Sequence, residues 1–555
     1  RDARWGRVAE GSGEDPWLGA EIARAMVRGY QGDLTRNDEI LACVKHFALY
    51  GAAEAGRDYN SVDMSRQRMF NEYMLPYQAA VEEGVGSVMA SFNDVEGVPA
   101  TGNRWLMTEL LRDQWKFDGF VVTDYTGIPE MTAHGIGDLQ SVTEQALQAG
   151  IDMDMISDLF VKYLKNSVES GRVKPEEIDR ACRRILEAKY KLGLFADPYK
   201  FCDTERPARQ IFTPEHRAFA RRIAAESFVL LKNEKQTLPL AKQGRIAVIG
   251  PLGNENYRDW YTGVSSYAVP ILEGLRQQLG AENVLFDDGY SVVALQSVET
   301  GKYCTVSADG TLRAAAEQIG ERETFLLHDW DFGSMNLRAC CNGKYVTENG
   351  TYQAVSDTPY EWFIREWLKP EPYGDAMRFG SWHDCPMDIA LQPDGTLRAV
   401  SHGKPTPDRL FRLVPVEDGV TRAAALAKQA DVVILCLGNH PMQVAREGYD
   451  RPDLELPAHQ KNLLRAVQAA NPNTVLTVVS SYPYALGEAM ELLPAILYTT
   501  HAGPELGNAV ADTLLGKNNP AARCPITWYR SAQDLPDIME YDIISAERTY
   551  LYDTV

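Results

Sequence analysis

Short apolar runs alternate with amphipathic stretches through the first 195 residues. The runs are LACVKHF at 41–47, GVGSVMASF at 84–92, FDGFVVTDY at 117–125 and GIDMDM at 150–155. Runs of this length between turn residues read as buried strands rather than helices. Helical periodicity separates them. It is clearest over 175–192, where Ile178, Cys182, Ile185 and Leu192 share a face, with Pro175 at the start and Gly193 after the end. Strand and helix in alternation predict a parallel sheet. Its strands end in Lys45-His46, Ser91-Phe92-Asn93 and Asp124-Tyr125. Polar groups at the carboxyl ends of parallel strands suit a barrel active site. A doubly wound sheet binds ligands at the same ends, so the pattern alone leaves both architectures standing.

Residues 196–225, rich in Arg, Pro and Asp, read as a linker and a lead-in helix. A second α/β pattern follows in RIAVIG (245–250), DVVILCLG (431–438), TVLTVVSS (474–481) and AILYTT (495–500). Pro457 opens a helix over 457–469, and Asn471-Pro472-Asn473 turns the chain into the next strand. Between the first two of these strands the helical period vanishes and an internal repeat appears. Gly301-Lys-Tyr-Cys-Thr305 returns as Gly343-Lys-Tyr-Val-Thr347, and Asp309-Gly-Thr-Leu-Arg-Ala314 returns as Asp394-Gly-Thr-Leu-Arg-Ala399. Phe325, Phe363 and Phe411 close successive units of about 42 residues, which predicts an all-β insert over 291–416. Threefold repetition at this length resembles a β-trefoil of the fascin-like kind. The expected organisation is an α/β segment over 1–195, the linker, a second α/β domain split into 226–290 and 417–555, and the insert.

Composition narrows the partners. Among 555 residues the formal net charge is −21, which argues against nucleic acid or an anionic membrane surface. A neutral sugar would not be repelled. No run of about 18 apolar residues suggests a membrane span. Nine cysteines, odd in number and never spaced C-x-x-C, fit neither a disulfide framework nor a thiolate zinc site. They favour a reducing, cytoplasmic compartment, although an export signal would precede Arg1. Cys43 and Cys436 lie in apolar runs and read as small buried side chains.

Gly250-Pro-Leu-Gly253 lacks dinucleotide-loop spacing, and neither H-E-x-x-H, G-x-S-x-G nor a P-loop occurs, so neither a metal nor a cofactor is called for. Carboxylates remain. Asp124 ends a strand, where an acidic side chain either caps the following helix or enters a pocket. Glu447 lies in the polar loop after DVVILCLG, where it either lines a ligand crevice or sits on a solvated acidic surface beside Asp450, Asp453 and Glu455.

Several motifs occur in order: Arg1-Asp-Ala-Arg-Trp-Gly-Arg7, Gly13-Glu-Asp-Pro16, Val44-Lys-His-Phe47, Gly56-Arg-Asp-Tyr59, Ser91-Phe-Asn93 and Gly119-Phe-Val-Val-Thr-Asp-Tyr125. Together they resemble the catalytic barrel of family 3 glycoside hydrolases, the group of bacterial β-glucosidases and β-xylosidases. Glu447-Gly-Tyr-Asp-Arg451, Gly503-Pro-Glu-Leu-Gly507 and Arg548-Thr-Tyr550 are similar to the family's second, α/β sandwich domain. The fold this implies is a partial TIM-like (β/α)8 barrel, then an α/β sandwich interrupted by the β-trefoil-like insert.

The resemblance implies a retaining exo-acting β-glycosidase with Asp124 as nucleophile and Glu447 as acid/base. Arg7, Lys45 and His46 match positions that hold sugar hydroxyls, and Arg57 and Asp58 line the same pocket. Phe92 stands where several members have Tyr, and Tyr125 where several have Trp, which bears on sugar preference. Retaining glycosidases hold their two carboxyl groups about 5–5.5 Å apart across the anomeric carbon. A nearby Lys45 or Arg7 would favour ionised Asp124, whereas Glu447 must begin protonated. Terminal β-glucosides are the first expected substrates and β-xylosides the second; a homo-oligomer stays open. A carbohydrate-binding protein without catalysis is the alternative of another class, motivated by the insert. By the same resemblance the chain starts within the barrel and stops before the usual tail. Both ends read as trimmed, and the activity is assigned to the parent gene product.

Overall fold

The computed structural model describes residues 2–241, 244–263, 265–381, 387–535, 537, 540, 542 and 544–546. Cys385 and the motif Arg548-Thr-Tyr550 lie outside the described residues. Two compact units emerge: one over 2–211 with Pro525–Thr527, the other over Phe212–Cys524 with Trp528–Leu535.

In the first unit, Cys43–Phe47, Ser87–Ala90 and Phe120–Val122 form a parallel sheet in that order. Val88, Ala90 and Val121 are fully buried, and Leu106, Leu110, Val142 and Ala146 pack in the same core. The helix Pro16–Gln31 starts where sequence rules place it: Asp15 caps it by accepting from Leu18 N at 2.9 Å, and Pro16 is its first residue. The stretch 150–155, expected as a fourth strand, makes only a single parallel bridge, Val122 with Met153. Asp152 explains the difference. Its carboxylate, 1% exposed, turns into the sheet to accept from Val121 N (2.9 Å) and pair with Arg112 (2.6 Å) and Arg184 (2.8 Å). A buried charge needs partners of this kind, and they replace regular strand pairing.

Arg184 also corrects the expected face of its helix, Pro175–Lys191. Ala181 is buried and Ile178, Arg184, Ile185 and Ala188 are half-buried, but Cys182 is exposed. Holding Arg184 against Asp152 fixes the helix rotation. Cys43 is a second correction. It is exposed, because its strand is the edge of the sheet among the described residues, whereas Cys436 is buried as expected. A cavity of about 810 Å³ opens beside that edge, lined mainly by apolar side chains such as Val27, Tyr30 and Leu49, with Lys45 on its wall.

The second unit is built on a six-stranded sheet in the order Val229–Asn233, Ala495–Thr499, Thr474–Val479, Val432–Gly438, Ile246–Ile249 and Val284–Asp287. All are parallel except the first, an antiparallel edge. Every residue of Thr474–Val479 is buried, as expected of a parallel strand covered on both faces. The expected helix runs Ala458–Ala470 with Pro457 as its cap residue. The chain leaves the adjacent strands Ile246–Ile249 and Val432–Gly438 toward opposite edges of the sheet. In sheets of this kind the crevice that takes ligands lies at such a reversal, at the carboxyl ends of the two strands. Gly438, at the end of one of them, has φ +148°, and a Cβ there would meet Val479 O at 1.8 Å.

Between Val284–Asp287 and the helix Gly419–Ala427 lie, among the described residues, twelve antiparallel strands, from Ser291–Ser297 to Phe411–Glu417. These first and last strands pair with each other, so the segment leaves and rejoins the α/β sheet at one place. Three hairpins carry the sequence repeat: Tyr303–Val306 with Leu312–Ala316, Tyr345–Glu348 with Tyr352–Ser356, and Met387–Leu391 with Leu397–Ser401. Bridges Thr311–Gln353, Arg313–Thr396 and Thr351–Arg398 join them in a ring. Asp309 and Asp394 accept from Thr311 N and Thr396 N, and Gly310 and Gly395 take φ +84° and +83°, the turn chemistry of Asp-Gly. Asn349-Gly350-Thr351 supplies the third turn, a copy the sequence comparison missed. Phe325 and Phe411 are buried in this core, but Phe363 is half-buried in a loop, and Leu368 takes the strand position opposite Met335. Among the described residues no helix is long and apolar enough to cross a membrane.

Candidate functional site

The strand Phe120–Val122 stops two residues before Asp124. Thr123 is buried; its N–H donates to Met153 O (3.0 Å) and its hydroxyl accepts from Met155 N (2.9 Å), which fixes the strand end. Asp124 does not cap the following helix: the cap residue of Gly127–Glu130 is Thr126. The Asp124 side chain, 14% exposed, accepts from Tyr125 N at 2.7 Å. Its Oδ2 lies 3.4 Å from His46 Nε2.

His46 links the carboxylate to Arg7, whose Nη2 lies 3.2 Å from the same His46 Nε2. Arg7 is 1% exposed and grips Glu10 with both arms of its guanidinium, at 2.7 and 2.9 Å. That bidentate pair orients a buried cation toward the histidine. Tyr50 packs under both, 5.3 Å from the His46 ring and 5.1 Å from the Arg7 guanidinium carbon. Burial pushes its phenol well up, with Asp58 adding to the shift. Phe92 joins this wall, 5.3 Å from Tyr59 and 6.2 Å from Tyr50. Asp58 accepts from Trp5 Nε1 at 2.9 Å.

The expected residues therefore separate into groups. Arg7, His46 and Asp124 meet directly, with Phe92 and Asp58 on the adjoining aromatic wall. Tyr125 is 57% exposed beside Asp124. Lys45 is exposed and lines the cavity beside its strand. Arg57 is exposed, and among the described residues no hydrogen bond or ion pair ties its side chain to the cluster. Glu10 and Tyr50 were not foreseen. Glu10, three residues after Arg7, had a detectable signal in its spacing; Tyr50 had none.

Glu447 belongs to the second unit, in the loop that leaves Val432–Gly438 at the crevice. The loop is mostly buried: Met442, Val444 and Ala445 are 0–2% exposed, while Glu447 is half-buried and Gly448 exposed. Backbone bonds between Arg446 and Tyr449, 3.0 and 2.9 Å, pinch it into a tight turn with Glu447 at the tip. The loop leaving the neighbouring strand Ile246–Ile249 brings Tyr261, whose hydroxyl donates to Glu447 Oε2. Arg446, 7% exposed, donates to Trp362 O; burial pulls its guanidinium down, and Glu447 opposes the fall. Arg451 is 1% exposed, donates to Pro483 O at 2.9 Å and lies over the rings of Tyr482 and Tyr484. The acidic surface alternative does not describe this loop, since most of it is core.

Residues 1–188 match the glycosyl hydrolase family 3 N terminal domain and residues 228–554 the glycosyl hydrolase family 3 C-terminal domain. A periplasmic beta-glucosidase of Salmonella typhimurium is 33% identical over 566 residues, covering 99% of this chain and 60% of the relative. A beta-xylosidase of Formosa agariphila is 28% identical, covering 96% of this chain and 60% of its own length. The crystal structure of a beta-glucosidase from Listeria innocua in complex with isofagomine superposes with a TM-score of 0.70 at 28% identity, over 96% of this chain and 58% of that one. The chain thus spans about 60% of the length of these curated relatives. With both domains matched over nearly the whole sequence, the chain belongs to glycosyl hydrolase family 3.

Proposed function

We propose that the protein carrying this chain is a retaining exo-acting β-glycosidase that removes terminal β-D-glucosyl residues. The observation that carries it is the strand-end carboxylate Asp124, which faces His46 and, through it, the buried guanidinium of Arg7. Asp124 attacks the anomeric carbon as the aglycone oxygen leaves with a proton from Glu447. A covalent glycosyl-enzyme forms. Water, losing its proton to Glu447, then displaces Asp124, and two inversions give net retention. Arg7, Lys45 and His46 are assigned to the sugar hydroxyls, with Arg57, Asp58, Phe92 and Tyr125 on the pocket wall. The strands of the first unit are assigned to a (β/α)8 barrel, and the ring of three hairpins supports reading the insert as a β-trefoil.

β-Xylosidase activity by the same mechanism is the second reading, favoured by the name of the Formosa agariphila relative. Phe92, without a hydroxyl, and Tyr125, smaller than Trp, bear on that choice. Initial rates on matched aryl β-glucosides and β-xylosides decide it. In the full-length protein, Asp124→Asn is expected to lower kcat by about three orders of magnitude or more, as loss of a covalent nucleophile does elsewhere. A fluorinated glycoside is expected to label the peptide containing Asp124. Full activity in the variant, or label on another residue, overturns the assignment.

A further inference from the structure

The tip carrying Glu447 is held from two sides, and both holds come from the insert. On its own side, Arg446 donates to Trp362 O and lies over the Trp362 ring at 5.1 Å. Tyr449 donates to Phe332 O and packs edge-on against Trp367, ring centroids 5.0 Å apart at 90°. Beneath the loop, Met442 closes an apolar cluster with Ile364 and Trp367, and Ser334 Oγ donates to Gln443 Oε1 at 3.2 Å. Where the loop ends, Asp331 accepts from Ala458 N and caps the helix Ala458–Ala470, whose own cap residue, Pro457, offers no side-chain acceptor.

On the other side is the 258–262 segment that presents Tyr261 to Glu447. Tyr360 donates to Thr262 O at 2.9 Å and also reaches Trp260 O at 3.3 Å. Arg258 lies 4.5 Å over the Tyr360 ring, and Trp260 meets Trp362 at 6.0 Å and 67°. Residues 331–334 and 358–367 of the insert therefore tie down both loops that leave the α/β sheet at its crevice. A freely tethered binding module would not need its loops buried against these two.

We propose that the insert is a positioning element of the active site: its 331–334 and 358–367 segments set the placement of the Glu447 carboxyl, with Tyr360 and Tyr449 as positioning residues and Tyr261 as the group that orients the carboxyl directly. This rests on Glu447 being the acid/base. Misplacing a catalytic group by about 1 Å costs up to about a hundredfold. The loss should fall on the step that needs the proton. A leaving group that departs unaided is indifferent to where the acid stands, whereas an alkoxide depends on it.

The test compares kcat/KM, which reports the glycosylation step and not the later one in which Glu447 acts as base, for methyl and 2,4-dinitrophenyl β-D-glucosides in the full-length protein carrying Tyr360→Phe, Tyr449→Phe, both together, or Glu447→Gln. The double variant is expected to lose about tenfold or more on the methyl glucoside and less than about threefold on the dinitrophenyl glucoside, with the basic limb of its pH–rate profile displaced. Each Tyr→Phe change removes one hydroxyl and keeps the ring, and thermal melts report folding. If the double variant unfolds, the singles carry the same comparison. Equal effects on the two substrates, or a lowered melting temperature with an unchanged rate ratio, overturn the positioning role. Glu447→Gln separates the two ideas. If it shows the leaving-group dependence and the tyrosine variants do not, only the insert's role falls. If it shows none, the acid/base assignment falls and takes the proposal with it.

Discussion

At the scale of the residue, the clearest feature is that one imidazole is shared between a cation and an anion. His46 Nε2 is 3.2 Å from Arg7 and 3.4 Å from Asp124, so a small shift of Arg7 moves the field at the carboxylate. Only a guanidinium can grip Glu10 with two arms and still face His46; an ammonium is a point charge without that fork. Arg7→Lys is therefore expected to lower kcat/KM by about 10- to 100-fold while keeping the charge. Steady-state kinetics on an aryl β-glucoside check this, and a wild-type value would remove Arg7 from the sugar site. The sequence exposed this cluster through its motifs, but nothing in it told which of seven neighbouring polar and aromatic candidates would touch. Arg57, flanked by Gly56 and Asp58, stays out of the cluster because the chain leaves its side chain in solvent.

At the scale of the element, two positions decide whether the site-bearing strands form. The buried Asp152 carboxylate satisfies two half-buried arginines and a strand N–H at once. Asp152→Asn leaves that charge uncompensated and is expected to cost about 3–5 kcal/mol in urea unfolding. Asp118→Asn, which breaks the exposed pair with Lys191, is expected to change stability by less than about 0.5 kcal/mol. Equal costs would mean that Asp152 is not the keystone of its strand. Gly438 holds the end of the strand that launches the Glu447 loop. Gly438→Ala forces a Cβ into Val479 O, and the backbone must move; a loss above about 3 kcal/mol, or insoluble protein, is expected. Normal expression with an unchanged melting temperature would contradict it.

At the scale of the whole molecule, histidines withdrawn from water, two of them fully buried, contribute to the response to acid. In the second unit, burial pushes His440 down to about 3, His501 down to about 4, and His328 well below its usual value. Unfolded, each binds a proton near pH 6.5; folded, each resists it. At these groups the unfolded state thus binds more protons below that pH, and the stability they contribute falls as pH drops from about 6.5 toward 4. The slope is at most about 1.4 kcal/mol per pH unit for each histidine. Urea unfolding of the second unit between pH 7 and 5 is expected to show this loss, and His440→Asn to reduce it. A pH-independent midpoint over that range would rule the effect out.

The sequence by itself determined most of the α/β strands, the helix starts at Pro175 and Pro457, the repeated Asp-Gly turns and the strand that delivers Asp124. All of these are local: they follow from which side of a short segment avoids water and which residues tolerate a turn. Tertiary structure alone decided the rest. It rotated Cys182 outward to seat Arg184 on Asp152, reduced 150–155 to one bridge, and paired Tyr261 with Glu447 across 186 positions of sequence. It also pressed the insert's aromatic loop against the turn that bears Glu447. Such pairings depend on how the chain closes on itself, and the period of a segment records only its own burial, not the identity of its distant neighbours.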